Sequence, residues 1–490
     1  MINRVIKPAA LALLIALLPA VSVSYSSEKP LTLADCIAMA VRENRIIRNA
    51  YLDRVVQKYD LRVAEDKFSP TFTITPSINS TGTTPTLGSK GTSVASNVST
   101  TSGATANINE KLPTGATLAL AGNYTATSTE SVSPTRSYGW NVTLTQPLLK
   151  GGGLDVNLAS VRQAQRAEQN NILSLKSTLI NNLNTVITAY RSYVQAIKSL
   201  EIARQSLERS RELVATNREL IAAGRMAAIE IVQSEADVAN REYSLLSAEN
   251  QIDAARLALT RAIDIDKNSR INPLPETDIP PVPYTLEQAR QMALENRPDY
   301  QQLLLGYEDS KMQLMLARNN TLWDLSLSGK YSENYSRAST PGPLTSSGTW
   351  QAGLTLTIPL DNLYRTYSER REAIAAEIGL KKFENDLARQ RENIGIEVQD
   401  ALRNVEMNYR QIKLATLSRT LSEKKVEIET EKLKAGRSTN FQLVSYQNDL
   451  VNAQNNELTA ITTYLNALTS LENALGITLD RWGVTLAERK

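Results

Sequence analysis

Two short stretches of the chain alternate apolar and polar residues with a period of two. The first carries apolar side chains at Tyr138, Trp140 and Val142, and the second carries them at Leu354 and Leu356. Small or polar residues fill the positions between them. A β-strand with this period has one apolar and one polar face. Both stretches therefore predict amphipathic strands.

Much longer stretches repeat their apolar residues every seven positions, which indicates helices that pack as coiled coils. The members of the first set are Leu179, Val186, Tyr193, Leu200, Leu207, Val214 and Ile221. The members of the second set are Val398, Val405, Ile412, Val426 and Leu433. From Leu154 to Ala223 the first helix should extend about 100 Å, because an α-helix rises 1.5 Å per residue.

Each of these long helices runs into the tripeptide Ala-Gly-Arg. Gly224 and Gly436 stand at its centre, and glycine readily adopts the left-handed conformation with which many helices end. A second periodic stretch follows each glycine. We therefore predict two helical hairpins that have these tripeptides at their tips.

The same order of elements occurs twice because the chain contains an internal duplication. Residues 31–78 align without a gap with residues 284–331, at an offset of 253. The later parts of the two copies, including the tips, align at an offset of 212. The offsets differ by 41 residues, which lie between positions 78 and 138. We expect these extra residues to contain a second β-hairpin, formed around the turn Pro113-Thr114-Gly115.

The beginning of the chain has the features of a secretion signal. Arg4 and Lys7 precede an apolar run from Ala9 to Val21, and small residues follow. Beyond this segment no run reaches the roughly 18 to 20 apolar residues of a membrane-spanning helix. Any membrane contact of the exported chain should therefore come from a β-barrel or an anchor. A lipid on Cys36 is disfavoured, since the bulky Asp35 precedes this cysteine, and a buried position in a helix is the preferred interpretation.

The predicted strands are too few for a globular core. Each is about as long as the 9 to 11 residues with which a tilted strand spans a bilayer. An open sheet edge cannot face lipid, so the strands that close a barrel should come from other copies of the chain. The strand number per chain stays open at four to six. The alternative at this point is the edge of a β-sandwich in a soluble protein.

Together these patterns predict a mainly α chain with a membrane β-barrel, in which a unit of short strands and a long coiled-coil helical hairpin is duplicated. Each copy should open with a single helix, from Thr32 to Asp66 and from Thr285 to Arg318. The predicted segments are a signal peptide at 1–24, a first repeat at 25–266 with strands at about 71–147 and a hairpin at 154–266, a proline-rich linker at 267–284, and a second repeat at 285–490 with strands at about 323–359, a hairpin at 362–476 and a C-terminal tail.

Composition and charge disfavour catalysis and nucleic-acid binding. The chain has no histidine and one cysteine, so it lacks the usual ligands of a metal cluster and a nucleophile paired with a base. We expect no cofactor and no enzymatic activity. With 54 basic and 51 acidic residues, the net charge of +3 provides no large field to hold a polyanion.

The duplicated motifs resemble the TolC-like outer membrane efflux proteins over nearly all of the mature chain. The motifs are the paired openings Leu31-Thr32-Leu33 and Tyr284-Thr285-Leu286, the strand ends Gln146-Pro147-Leu148 and Ile358-Pro359-Leu360, and the two tips. The resemblance implies a homotrimer in the outer membrane of a Gram-negative bacterium, with a β-barrel in the lipid and a helical tunnel in the periplasm. It implies a passive duct for efflux or type I secretion that a periplasmic adaptor joins to an inner-membrane pump.

The resemblance also implies two groups of functional residues. The adaptor is expected at the tips, at Gly224, Arg225, Gly436 and Arg437. The periplasmic constriction is expected at Gln442, Ser445 and Glu230, where some relatives carry rings of aspartate. A neutral ring removes the coulombic attraction for cations, so cation block is not expected. An exported coiled coil or adhesin without a transport role is the alternative function.

Overall fold

The structure is a computed structural model that describes residues 30–83, 97–130, 132–269, 271–276, 279–281, 284–337, 342–358 and 367–485. The predicted signal peptide lies outside these residues. The helices are α1 (Leu33–Glu43), α2 (Arg45–Glu65), a 3-10 turn (Asp66–Phe68), α3 (Leu154–Ala222), α4 (Glu230–Ile263), α5 (Leu286–Asn296), α6 (Pro298–Asn320), α7 (Tyr367–Lys434), α8 (Asn440–Ala474) and α9 (Thr478–Arg481). The strands are β1 (Pro30–Leu31), β2 (Thr71–Thr83), β3 (Asn97–Lys111), β4 (Thr117–Thr129), β5 (Val132–Pro147), β6 (Asn272–Pro273), β7 (Asp324–Arg337) and β8 (Leu344–Thr357). None of the described helices combines the length and the hydropathy needed to cross a membrane.

Six of the strands form one antiparallel sheet in the order β2-β3-β4-β5-β7-β8. Side chains alternate between its two faces, as the period of two predicts. One row of paired residues across all six strands is apolar: Phe72, Ile108, Leu120, Val142, Tyr331 and Trp350. A neighbouring row on the other face is small or polar: Thr73, Asn107, Ala121, Asn141, Ser332 and Thr349. The predicted amphipathic strands are therefore confirmed.

The duplication accounts for four of the six strands. At the offset of 253 β2 aligns with β7, and at the offset of 212 β5 aligns with β8. The remaining strands, β3 and β4, lie among the extra residues of the first copy. They flank a turn at Pro113-Thr114-Gly115, where Gly115 has a φ of 94°. The expected second hairpin is confirmed, and the first copy contributes four strands to the sheet while the second contributes two.

The prediction of one unbroken helix at the start of each copy is wrong. The backbone turns extended at Asn44, with a ψ of 123°, and at Arg297, with a ψ of 122°. In the second copy Pro298 explains the break, because a proline disfavours the helical conformation in the residue before it. The Arg297 guanidinium also lies 2.8 Å from the Asp299 carboxylate at the start of α6. In the first copy the Asn44 side chain donates a 2.9 Å hydrogen bond to the carbonyl of Ala262.

The described residues fall into two compact units, and one of them contains the hairpin tips. This unit, the tip unit, draws on Met1–Asn44, Thr185–Asp278 and Ser418–Thr459. In it the Tyr190 hydroxyl is fully buried and lies 2.9 Å from the carbonyl of Leu31 and 2.6 Å from that of Leu274. An apolar cluster packs beneath the tips, formed by Leu213, Val426, Leu433, Leu443 and Leu450.

The second unit contains the six-stranded sheet and draws on Arg45–Asn184, Ile279–Leu417 and Ala460–Lys490. Its core includes Ala289, Val398, Val405 and Tyr464, which are almost completely buried. The burial of Val398 and Val405 in this unit, and of Val214 and Val426 in the tip unit, confirms that the heptad stripes are packing surfaces.

Candidate functional site: the hairpin tips

The Ala-Gly-Arg tripeptides end α3 and α7 in the same way. Gly224 and Gly436 have φ values of 68° and 73°, as predicted for residues that leave a helix through the left-handed region. The next amide in each tip, that of Arg225 or Arg437, donates a 2.8 Å hydrogen bond to a carbonyl five residues earlier. These bonds satisfy backbone carbonyls that a helix end leaves without a partner.

The two tips are joined within the chain by Arg225. Its Nη2 donates a 3.2 Å hydrogen bond to the carbonyl of Lys434, the last residue of α7. Arg437 is the equivalent residue of the second tip, but in the part of the chain that the structure describes its side chain makes no hydrogen bond or ion pair. The structure thus places Gly224, Arg225, Gly436 and Arg437 together at one site.

A buried polar network that the sequence analysis missed lies directly behind the tips. The Asn217 amide donates hydrogen bonds of 3.2 Å to the hydroxyl of Ser234 and of 2.9 Å to the side-chain oxygen of Asn440. The Asn440 amide in turn donates to the carbonyl of Glu230, at 3.2 Å. The side chains of Asn217, Ser234 and Asn440 are almost completely buried. The network therefore fixes the ends of α3, α4 and α8 relative to each other.

A sequence signal for this network exists. Asn217 stands three residues after Val214 in the heptad stripe, at a spacing that places it on the packed face of the helix. Ser210, seven residues earlier, has the same relation to Leu207 and is also buried. Polar residues at such positions indicate hydrogen bonds between the packed helices.

A second buried polar cluster lies further from the tips. The Ser210 hydroxyl donates to the Asp237 carboxylate at 2.6 Å, and Arg241 lies 3.2 Å from the same carboxylate. Arg241 also donates to the side-chain oxygen of Asn448 at 2.5 Å. This cluster joins α3, α4 and α8 by charge-assisted bonds, which are stronger than neutral ones.

The residues predicted for the constriction lie close to the tips. Glu230 is the first residue of α4, and Gln442 and Ser445 lie in the first two turns of α8. All three are half-buried. Among the described residues, no side-chain hydrogen bond joins them. Their connection is indirect, since the carbonyl of Glu230 accepts from Asn440, two residues before Gln442.

The second tip contains a carboxylate with a lowered pKa. The Ser438 hydroxyl donates a 2.5 Å hydrogen bond to Glu429, and Lys432 lies 3.1 Å from the same carboxylate. The pKa of Glu429 is lowered chiefly by the bond from Ser438 and further by Lys432, while burial opposes them. The charged form of Glu429 thus holds the loop after α7 in place.

Large apolar side chains stand exposed beside the tips. Ile229 and Phe441 are 73% and 65% exposed, and each lies next to a predicted constriction residue. They add apolar surface beside the polar tips.

Comparisons with known proteins agree with the resemblance seen in the sequence. A family model described as outer membrane efflux protein matches residues 36–263 and 289–477. Among solved structures, the outer membrane protein VceC from Vibrio cholerae is 14% identical, over 91% of this chain and 96% of that chain, with a TM-score of 0.66. A membrane protein from Pseudomonas aeruginosa is 19% identical, over 91% and 93%, with a TM-score of 0.64.

The CmeC outer membrane channel of Campylobacter jejuni is 15% identical, over 91% of this chain and 86% of that chain, with a TM-score of 0.63. At these identities the likeness establishes the fold. No curated protein matches the chain. Because one family model covers most of both repeats, the chain belongs to the outer membrane efflux protein family and is a protein of the Gram-negative outer membrane.

Proposed function

We propose that three copies of this chain form a passive duct through the outer membrane for small molecules or proteins, as part of a tripartite efflux or type I secretion system. The observation that carries the proposal is the six-stranded sheet, which has one apolar face, one polar face and two outer strands.

The sheet edges call for further strands. In the described chain β2 pairs on one side with β3, and β8 pairs on one side with β7. Each therefore has a row of backbone donors and acceptors without strand partners. In lipid such groups cost several kcal/mol each, so membrane-spanning sheets are closed. Further copies of the same chain supply the closure, because β8 of one copy can pair with β2 of the next.

The two faces of the sheet fit lipid on one side and water on the other. Phe72 and Trp350 on the apolar face are 62% and 77% exposed in the single chain. Aromatic pairs lie on the same face, with ring centroids 5.0 Å apart for Tyr138 and Tyr335. The opposite face carries mainly threonine, serine and asparagine, which suits the wall of an aqueous pore.

The helices also carry apolar surface that one copy leaves uncovered. On α7 four exposed residues repeat every seven positions: Met407, Leu414, Leu421 and Ile428. This stripe is separate from the buried stripe that contains Val405 and Ile412. A helix with two apolar stripes packs on two sides. The second side is assigned to a neighbouring copy, which supports a helical tunnel of several chains.

The tips are proposed to meet the periplasmic adaptor, through which an inner-membrane pump is joined to the duct. Gly224, Arg225, Gly436 and Arg437 lie at one site, and the exposed Ile229 and Phe441 flank them. The constriction is proposed at Gln442, Ser445 and Glu230. Two of these three are uncharged, so a ring formed by three copies attracts cations weakly and is not expected to be blocked by them.

In vivo photocrosslinking tests this function. A photoreactive residue at Arg437 is expected to capture a periplasmic adaptor protein, while the same residue at Glu249, exposed on α4, is the matched control. The purified protein is expected to conduct ions in planar bilayers. Recovery of no envelope partner from Arg437, together with the absence of conductance, would overturn the proposal.

A further inference from the structure

The hairpin β3–β4 has no counterpart in the second repeat, although it spans the full height of the sheet. The duplicated strands alone number four per chain, which gives twelve in three copies. With the hairpin, each chain carries six. We propose that the inserted hairpin is part of the membrane wall, so that three copies close a barrel of eighteen strands. This inference rests on the trimeric duct proposed above.

The inserted strands carry apolar residues in register with those of the neighbouring strands. Ile108 of β3 pairs with Phe72 of β2, and Leu120 of β4 pairs with Val142 of β5. Both inserted residues therefore belong to the apolar row that crosses all six strands. An inserted hairpin outside the membrane has no need for an apolar face in register with its neighbours. A strand in a barrel wall does, because one face meets lipid.

The opposite face of the same strands also matches its neighbours. The row that contains Ala119 reads Thr71, Asn109, Ala119, Thr143, Lys330 and Gln351 from β2 to β8. In this row too, the residues of the inserted hairpin match the small or polar character of the duplicated strands. A pair of threonines joins β3 and β4 on this face, where the hydroxyls of Thr101 and Thr127 lie 3.2 Å apart. The hairpin thus continues the polar lining without interruption.

The turn of the inserted hairpin is anchored by hydrogen bonds and by close contacts. The carbonyl of Thr114 accepts hydrogen bonds from the Gly153 amide at 3.0 Å and from the Gln146 side chain at 3.1 Å. Gly115 lies so close to Asn157 that a Cβ on it would stand 2.5 Å from the Asn157 amide nitrogen. These contacts fix the turn to the junction of β5 and α3, at the edge of the sheet where the helices begin. The hairpin is therefore built into the sheet at its turn as well as along its strands.

Eighteen strands define a wider pore than twelve. With strands about 4.8 Å apart and tilted by about 40°, the backbone diameter is about 36 Å for eighteen strands and about 24 Å for twelve. Barrels of 16 to 18 strands are in the size range that encloses an open aqueous channel. The proposal therefore predicts a duct that is about 1.5 times as wide in the membrane as the duplicated strands alone would give.

Spin labels on the full-length protein in liposomes test the proposal. In a Cys36→Ala background, single cysteines replace Leu120 on the apolar face and Ala119 on the polar face of the inserted strand β4. Trp350 and Gln351 on β8 are the matched control pair, because they lie in the same two rows of the sheet. Oxygen, which concentrates in lipid, is expected to relax the labels at Leu120 and Trp350. A water-soluble nickel chelate is expected to relax those at Ala119 and Gln351.

The control pair separates two kinds of failure. If the labels on β8 alternate and both labels on β4 meet only the nickel chelate, the hairpin lies outside the wall and the eighteen-strand barrel is wrong. If the β8 labels do not alternate either, the membrane channel itself is wrong. Electron microscopy of the purified trimer gives an independent measurement. A barrel about 1.5-fold narrower than expected would also overturn the proposal.

Discussion

The Nη2 of Arg225 and the carbonyl oxygen of Lys434 are joined by a 3.2 Å hydrogen bond that links the first hairpin tip to the end of α7. Arg437, the duplicated counterpart of Arg225, makes no such link among the described residues. Two tips with the same tripeptide thus differ in one contact. If the tips move apart when the duct opens, this contact belongs to the closed arrangement.

We expect Arg225→Ala to increase the open population of the duct. The lost bond is exposed and is worth about 0.5 to 1 kcal/mol, which corresponds to a two- to fivefold shift in a two-state equilibrium. Uptake of a large antibiotic that crosses the outer membrane poorly measures the leak in cells, and single-channel recording measures it directly.

Arg437→Ala is the matched control, since it removes the same side chain from the equivalent position. Its leak should stay near that of the unaltered protein. An equal leak from both variants would show that loss of positive charge, rather than loss of the tip contact, is responsible.

The internal repeats allowed the fold to be predicted from the sequence. Local departures from the repeated pattern could not be predicted in the same way. Gly224 and Gly436 were predicted correctly because a left-handed helix end strongly favours glycine. The break at Arg297 had a local cause in Pro298, yet the strong helical pattern on both sides outweighed it. At Asn44 no proline marks the break, and its side chain reaches Ala262, more than two hundred residues away. Such a contact depends on the tertiary structure and leaves no local signal.

The tip site was predicted only in its exposed part. Ala-Gly-Arg is conspicuous because it occurs twice, whereas Asn217 and Asn440 do not occupy equivalent positions in the two repeats. Their hydrogen bond depends on how the hairpins pack, and polar residues in a helix are more often solvated. The difference between the two alignment offsets predicted where the extra hairpin lies in the chain. Its pairing register with the neighbouring strands was seen only in the structure.

We expect Asn217→Ala to loosen the tips from within. The substitution removes both donors to Ser234 and Asn440 and leaves their buried oxygens short of a partner, at a cost of about 1 to 3 kcal/mol. Hydrogen–deuterium exchange should rise several-fold in the last turns of α3 and the first turns of α8. Asn250→Ala, at an exposed position on α4, is the control. Equal exchange at the tips in both variants would show that the hydrogen bonds of Asn217 do not hold the tips in place.

The ends of α4 and α8 offer a paired test of backbone strain. Asp264 and Gly476 are equivalent at the offset of 212 and have φ values of 65° and 73°. A residue other than glycine loses about 1 to 2 kcal/mol in this region, and aspartate tolerates it better than most. We expect Asp264→Gly to raise the midpoint of thermal unfolding, as measured by circular dichroism.

Gly476→Ala should lower that midpoint more than Asp264→Gly raises it. Besides the unfavourable φ, its Cβ would stand 2.7 Å from the backbone of Asn296. A midpoint unchanged by Gly476→Ala would show that the α5–α6 junction adapts without cost.

We expect the thiol of Cys36 to be inert in the folded protein. Burial, with a smaller contribution from Asp35, raises the pKa of Cys36 to about 12, so almost no thiolate is present at pH 8. The side chain is fully buried in α1 at the position where the second repeat has Ala289. An aromatic disulfide reagent should therefore react only after denaturation. A cysteine at Gln351 in the Cys36→Ala background serves as the reactive control, and rapid native labelling of Cys36 would contradict the buried position.

Acidification should loosen the second tip through Glu429. The hydrogen bond from Ser438 lowers the pKa of this carboxyl below its ordinary value of 4.5, against the opposing effect of burial. A carboxyl with a lowered folded-state pKa stabilises the fold above the unfolded value, and this contribution is lost as the pH falls through the folded-state pKa. Exchange at residues 435–440, measured relative to the intrinsic rate of an unstructured amide at the same pH, should therefore rise below pH 4.5. In Ser438→Ala the pKa of Glu429 returns toward 4.5, so the rise between pH 7 and strong acid should shrink.

Ser418→Ala, at an exposed position on α7, is the control and should keep the full rise. A full rise in Ser438→Ala as well would assign the acid sensitivity of the tip to another carboxyl.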